Sequence, residues 1–194
     1  MQGFENDTLS PFRIRPAKFA VSVAPTDIQC FGNNTGSAIA TVTHGKPPYR
    51  YEWSNGTVLT TSALTTTASN LPAGTHYVIV TEANGCVTFC SFTIGQPAAP
   101  LNVSAVTSDI TCNGTATGSI DVTTTGGTPP YTYSWTPGGS TTEDISNLIA
   151  DTYTLTVKDS NNCTYVTAYT LNEPYTLVST PSLVNVNCFG ASTG

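Results

Sequence analysis

Apolar and polar residues alternate along much of this chain with a period of two. Tyr131, Tyr133 and Trp135 alternate with Thr132 and Ser134, and Ile120 and Val122 alternate with Ser119, Asp121 and Thr123. Tyr153, Leu155 and Val157 alternate with Thr152, Thr154, Thr156 and Lys158. This period puts one side of a segment in a core and the other in water, as in an antiparallel sheet. Leu101, Val103, Ala105 and Ile110 predict a strand before these. A last strand from Cys163 to Leu171 follows the turn residues Asp159, Ser160, Asn161 and Asn162. No window carries a helical period. Six or seven short strands in about 75 residues predict an all-β, immunoglobulin-like antiparallel sandwich. Trp135, on the third strand, and Tyr153 are its expected core anchors.

The same pattern occurs more than once. Cys30, Phe31 and Gly32 with Thr35 and Gly36 recur as Cys112, Asn113 and Gly114 with Thr117 and Gly118, and again as Cys188, Phe189 and Gly190 with Thr193 and Gly194. Pro47, Pro48, Tyr49, Tyr51 and Trp53 match Pro129, Pro130, Tyr131, Tyr133 and Trp135. Asn70 and Leu71 match Asn147 and Leu148, Cys86 matches Cys163, and Gln96 with Pro97 matches Glu173 with Pro174. The offset is 82 from Trp53 to Trp135 but 77 from Leu71 to Leu148. Five extra residues therefore lie between Trp53 and Leu71, where we expect a Ser/Thr-rich loop. Internal periodicity of this kind is the signature of a repeat architecture. The organisation predicted is a linker or the end of a preceding domain over 1–20, repeats over 21–100 and 101–174, and the start of a third over 175–194. A chain carrying the opening motif of a repeat at its end reads as a piece of a longer array. The first repeat has Ala38, Ala40 and Val42 where the second has Ile120, Val122 and Thr124, and His76 where the second has Tyr153. We expect its core to be the less well filled of the two. Trp53 is its counterpart anchor to Trp135.

Composition narrows the function. Thr makes up roughly one residue in five, and only 9% of residues are charged, against about a quarter in an average domain. The net charge is −6. No basic stripe exists, which argues against a nucleic-acid partner and against anionic membrane surfaces. No segment has the length and hydropathy of a transmembrane helix. Residues 1–20 lack the apolar stretch of a signal peptide, so an export signal would lie elsewhere.

In combination these motifs resemble the SprB repeat. They are Cys-x-Gly, then Gly-x-Pro-Pro-Tyr-x-Tyr-x-Trp at Gly45 to Trp53, then Asn70 and Leu71 ahead of Ala73, Gly74 and Thr75, then Asn84, Gly85 and Cys86. The second repeat departs at Asp151, which replaces Gly74, and at Asn162, which replaces Gly85. The resemblance covers nearly all of 21–194. It implies an immunoglobulin- or PKD-like fold, a place on the surface of gliding Bacteroidetes, and export by the type IX route.

Six cysteines are present. Matched positions in the two repeats point to one bridge in each, Cys30 with Cys86 and Cys112 with Cys163, in an oxidising extracellular setting. Against this, the first cysteine follows the first strand and the second precedes the last, which can put them at opposite ends of a sandwich. A bridge needs Cα atoms within about 7 Å. The alternative is free thiols packed as small hydrophobes. Cys86 and Cys90 sit too far apart along one strand to bridge each other. No CxxC pair marks a zinc site.

Little else carries chemistry. His44 and His76 have no counterparts, Gly126 and Tyr153 standing in their places. They read as a turn histidine and a half-buried strand histidine. Asp27 matches Asp109 and Glu82 matches Asp159. Calcium takes about six to eight oxygen ligands, and no EF-hand-type loop occurs. These acids read as turn formers, with structural calcium as the minor alternative and no cofactor expected. The aromatics at Tyr49, Tyr51 and Trp53 share one strand face and read as core. Tyr77, Phe89 and Tyr165 fall out of that register and are expected to be exposed.

The reading that results is a non-catalytic repeat segment of a large extracellular adhesin. It would act as spacer or stalk and as weak adhesive surface in attachment or gliding. Its partners would be neighbouring repeats and polysaccharide or abiotic surfaces. The alternative is a carbohydrate-binding or accessory module of a secreted enzyme.

Overall fold

A computed structural model of the chain describes residues 18–181. Most of the expected third repeat, with Cys188, and most of residues 1–20 lie outside the described residues. Those described form thirteen strands and no helix. They fall into two compact units. The first runs to Asn102 and also takes in Thr125–Pro129 and Asp159–Cys163. The second holds Val103–Thr124, Pro130–Lys158 and the chain from Thr164.

Seven strands build the first repeat: β1 (Ala20–Thr26), β2 (Gly36–Thr43), β3 (Tyr49–Trp53), β4 (Val58–Thr61), β5 (Thr65–Leu71), β6 (Gly74–Thr81) and β7 (Val87–Ile94). They form two antiparallel sheets, ordered β1-β2-β5 and β4-β3-β6-β7. The inward residues of both sheets share one core: Ala38, Ala40 and Val42 from β2, Tyr49, Tyr51 and Trp53 from β3, Val78 and Val80 from β6. The stretch that carries the five extra residues is not all loop, contrary to expectation. Within it Val58–Thr61 forms the added edge strand β4, which pairs with β3 from Tyr49 opposite Thr61 to Glu52 opposite Val58. A Thr- and Val-rich stretch beside an open sheet edge finds its backbone partners there, satisfying groups a loop would leave to water.

The second repeat has six strands: β8 (Asn102–Ser108), β9 (Gly118–Thr125), β10 (Thr132–Thr136), β11 (Ile145–Leu148), β12 (Asp151–Lys158) and β13 (Thr164–Leu171). Their sheets run β11-β9-β8 and β10-β12-β13. Leu101 and Ile110 fall outside the first strand predicted for them. Ile110 instead plugs the end of the sandwich at 4% exposure.

Two recurring motif residues have structural causes. A Cβ on Gly36 would sit 2.6 Å from both Ile94 and the Leu71 carbonyl, and one on Gly118 would sit 2.8 Å from Leu171. Only glycine lets the two sheets approach there. Asn70 and Asn147 take φ of 58° and 57° beside the register shifts of β5 and β11. Asn tolerates that left-handed region better than most residues.

Side chains outside β2 add to the core of the first repeat. In the first repeat, Phe19 stacks on Tyr49 at 6.4 Å. Phe92 lies edge-on to Trp53 at 6.0 Å and stacks on His76 at 5.8 Å. These rings fill the space the alanines leave. The second repeat has no counterpart of β4 among the described residues. A cleft of about 590 Å³ lies there between residues 137–142 and β11, floored by Trp135 and Tyr153.

Leu155 is fully buried in β12, whereas Val166 on β13 is 59% exposed. Leu155→Ala should cost about 3 kcal/mol through lost burial and a residual cavity. Val166→Ala should stay within about 0.5 kcal/mol. Urea denaturation of the two variants measures the contrast.

Candidate functional site

Both ends of each sandwich are tied by side chains that accept hydrogen bonds from backbone amides. At one end of the first repeat, the β1–β2 loop folds onto the segment after β7. Gly95 N–H donates to Asp27 Oδ1 at 2.7 Å, Ile28 N–H to the Gly95 carbonyl at 2.9 Å, and Gly32 N–H to Gln96 Oε1 at 2.9 Å. Gly32 has φ of +78°, a conformation suited to glycine. The second repeat repeats these bonds. Asn172 N–H donates to Asp109 Oδ1 at 2.9 Å, Ile110 N–H to the Asn172 carbonyl at 2.9 Å, and Gly114 N–H to Glu173 Oε2 at 2.7 Å. The matched Gln96 and Glu173 are thus acceptors for a glycine amide 64 and 59 residues away.

At the other end sits the turn after β6 or β12. Lys46 N–H donates to Glu82 Oε2 at 2.6 Å, and Ala83 N–H to the Lys46 carbonyl at 3.0 Å. In the second repeat, Thr128 N–H donates to Asp159 Oδ2 at 2.9 Å, and Ser160 N–H to the Thr128 carbonyl at 2.9 Å. Asp159 is 5% exposed, and its Oδ1 also accepts from Asn161 N–H and Cys163 N–H, each at 2.9 Å. Three amide donors compensate the burial of this carboxylate. The acids weighed as turn formers or calcium ligands are engaged in these backbone bonds. Among the described residues, no three His, Cys, Asp or Glu side chains converge as a metal site.

These ties place the cysteines, and the placement corrects the expected pairing. Cys30 lies in the loop tied to the end of β7, while Cys86 adjoins the start of β7. Eight residues of extended strand, about 26 Å, separate them. Cys112 and Cys163 are held apart by β13 in the same way. Neither Cys30–Cys86 nor Cys112–Cys163 forms. Cys30 bonds instead to Cys163, with Cα atoms 5.6 Å apart and 133 residues of sequence between them. Both cysteines lie inside the first compact unit. Beside the bridge, Asn161 Nδ2 donates to the Gln29 carbonyl at 3.1 Å. Cys86 and Cys112 are exposed free thiols and Cys90 is a half-buried one. A hydrogen bond to Glu82 and the charge of its carboxylate push the Cys86 thiol above its ordinary pKa. Pairing by equivalent position within a repeat hid this bridge. Its signal was that the two cysteines of each repeat mark opposite ends of a sandwich.

The remaining candidates are placed as follows. Trp53, Trp135 and Tyr153 are buried. Trp135 Nε1 donates to the Thr142 carbonyl at 3.0 Å and Tyr153 Oη to the Ile149 carbonyl at 3.1 Å. His44 sits at φ of 57° after β2. His76 is buried rather than half-buried. Its Nε2 lies 2.9 Å from the Pro72 carbonyl, so it carries the proton, and Nδ1 accepts from Ser54 Oγ at 3.0 Å. Tyr77 and Phe89 are exposed and pair on the outer face of the four-stranded sheet, ring centroids 5.8 Å apart. Tyr165 is half-buried rather than exposed.

The strand order, with a three-stranded sheet facing a three- or four-stranded one over a shared core, defines tandem immunoglobulin-like β-sandwich repeats. The SprB repeat model matches at two places, residues 22–58 and 104–140. Each match spans the strand before the first cysteine through the aromatic strand. No curated protein matches the chain. Among solved structures, a C-terminal fragment of intimin in complex with the translocated intimin receptor's intimin-binding domain is similar at 13% identity and a TM-score of 0.46. That match covers 80% of this chain and 65% of the intimin fragment. The two immunoglobulin domains of DIP-gamma are similar at 12% identity, covering 72% of this chain and 89% of that one, with a TM-score of 0.37. The amphioxus IgVJ-C2 molecule is similar at 15% identity, covering 78% and 96%, with a TM-score of 0.31.

Asp159→Ala leaves three amide donors without their acceptor. It should lower stability by about 3 kcal/mol, read as a reduced urea midpoint at unchanged slope.

Proposed function

We propose that this chain is a non-catalytic stretch of a cell-surface adhesin in which sandwich repeats act as a covalently reinforced spacer. The observation that carries the reading is the Cys30–Cys163 bridge, which spans 133 residues and ties a loop of the first repeat to a turn of the second. A linkage of that span resists extension of everything between its ends. Immunoglobulin-like repeats of this kind are typically non-catalytic, which supports the same reading. A disulfide persists in oxidising surroundings, which supports an extracellular, surface-exposed site of action. The SprB family's occurrence in gliding bacteria supports attachment or gliding as the process and type IX export as the route. Weak contacts repeated along such an array would add up through avidity.

A second reading has its own observation. Tyr77 and Phe89 present a ring pair to solvent, and their counterparts in the second repeat are Thr154 and Val166. Exposed rings can stack on sugars, so this face fits a carbohydrate-binding module confined to the first repeat.

Two measurements separate these readings. In single-molecule pulling between the chain ends, the oxidised protein should withhold the stretch between Cys30 and Cys163. Reduction should then add about 470 Å of contour length. An oxidised chain that already extends by that amount would remove the basis of the spacer reading. Binding to a polysaccharide panel, with and without calcium, tests the second. Saturable binding weakened about tenfold or more by Tyr77→Ala with Phe89→Ala would favour the carbohydrate module.

A further inference from the structure

The exposed thiols of Cys86 and Cys112 occupy the two halves of a joint that this chain closes once. Cys112 stands in the β8–β9 loop as Cys30 stands in the β1–β2 loop. Thr115 N–H donates to the Cys112 carbonyl at 3.1 Å, as Asn33 N–H does to the Cys30 carbonyl at 3.2 Å. The ties of Asp109, Ile110 and Gly114 reproduce those of Asp27, Ile28 and Gly32. Cys86 stands in the β6–β7 turn as Cys163 stands in the β12–β13 turn. Glu82 N–H donates to the Cys86 carbonyl at 3.0 Å, as Asp159 N–H does to the Cys163 carbonyl at 3.1 Å. Gly85 N–H donates to the Glu82 carbonyl at 2.9 Å and Asn162 N–H to the Asp159 carbonyl at 3.0 Å. Asn84 is the counterpart of Asn161, whose amide holds the Gln29 carbonyl beside the bridge.

We propose that Cys112 and Cys86 each form a disulfide with the complementary cysteine of another SprB repeat, loop cysteine to turn cysteine, as Cys30 does with Cys163. For this chain the partner at hand is a second copy, Cys112 of one joined to Cys86 of the next. The contact is head-to-tail, with a different patch on each copy, so every copy keeps one end free for a further partner. The independent observation behind the pairing is that the same loop and the same turn are already bonded to each other in this molecule. The oxidant is a disulfide, of glutathione or of a thiol-oxidising protein. One cysteine thiolate attacks it, forms a mixed disulfide and releases one thiol. The second cysteine thiolate then attacks the protein sulfur and releases the other. Two protons and two electrons pass to the donor, which ends as two thiols. The inference deepens the spacer reading, making the reinforcement continuous along an array. It is read by disulfide mapping, whereas the spacer reading falls on the pulling experiment, so the two fail separately.

The test uses the full chain with Cys90→Ser and Cys188→Ser, leaving Cys86 and Cys112 as free thiols. On that background, Cys86→Ser and Cys112→Ser variants are incubated in glutathione redox buffer, alone and mixed. Products are read by non-reducing electrophoresis and by mass spectrometry of the linked peptides, with the Cys30–Cys163 peptide as the check on folding. The mixture should give the Cys112–Cys86 dimer over the two symmetric dimers together at about ten to one, against one to one by chance. The background chain itself should give a ladder. Adding Asn84→Ala to the chain that supplies Cys86 should lower the excess severalfold. Dimers in statistical proportion, dominance of Cys112–Cys112 or Cys86–Cys86 bonds, absence of cross-linking, or indifference to Asn84→Ala would each overturn the proposal.

Discussion

Backbone amides held by side-chain acceptors govern the geometry of this molecule. Asp27, Gln96 and Glu82 in the first repeat, and Asp109, Glu173 and Asp159 in the second, each accept from the amide of a residue distant in sequence. Without them the inter-strand segments at the sandwich ends would leave their amides to water and sample many conformations. With them, each segment has one arrangement, and so does the cysteine it carries. A disulfide forms only when two Cα atoms stand within a narrow distance. The Cys30–Cys163 bond therefore depends on a loop and a turn that are each already fixed by these acceptors.

The cores do a different job. Alternating faces of β2, β3 and β6, and of β9, β10 and β12, supply the burial that drives each sandwich to form. The two repeats fill their cores by different means. The first compensates small β2 residues with the rings of Phe19 and Phe92 and closes its sheet with β4. The second uses Ile120 and Leu155, lacks that edge strand, and keeps a cleft beside Trp135. The shared motif residues meet backbone demands common to both, such as the close sheet approach at Gly36 and Gly118. The divergent residues lie where each core or outer face is packed or exposed in its own way.

Much was legible from sequence, for physical reasons. Period-two alternation is forced by strand geometry, so the all-β class and most strands could be read directly, as could the buried side of Tyr51 and Trp53. The alternation failed where it had no hold. Ile110 is apolar yet belongs to a loop, because it caps the sandwich end rather than extending a sheet. The stretch between Trp53 and Leu71 read as holding a Ser/Thr-rich loop, and Val58–Thr61 within it became β4 because an unpaired edge lay next to it. Phe92 could not be assigned to the first core without knowing that it faces Trp53 and His76 across the sheet.

What the sequence alone determined is the local pattern, the repetition and the family likeness. These rest on side-chain periodicity and spacing, which are properties of the chain itself. What only the tertiary structure decided is the partner of each cysteine and the work of the matched acids. Both depend on which ends of the strands come together, and equivalence between repeats carries no information about that. Cys30 and Cys86 are separated by the length of β7, while a turn from the next repeat brings Cys163 within bonding distance.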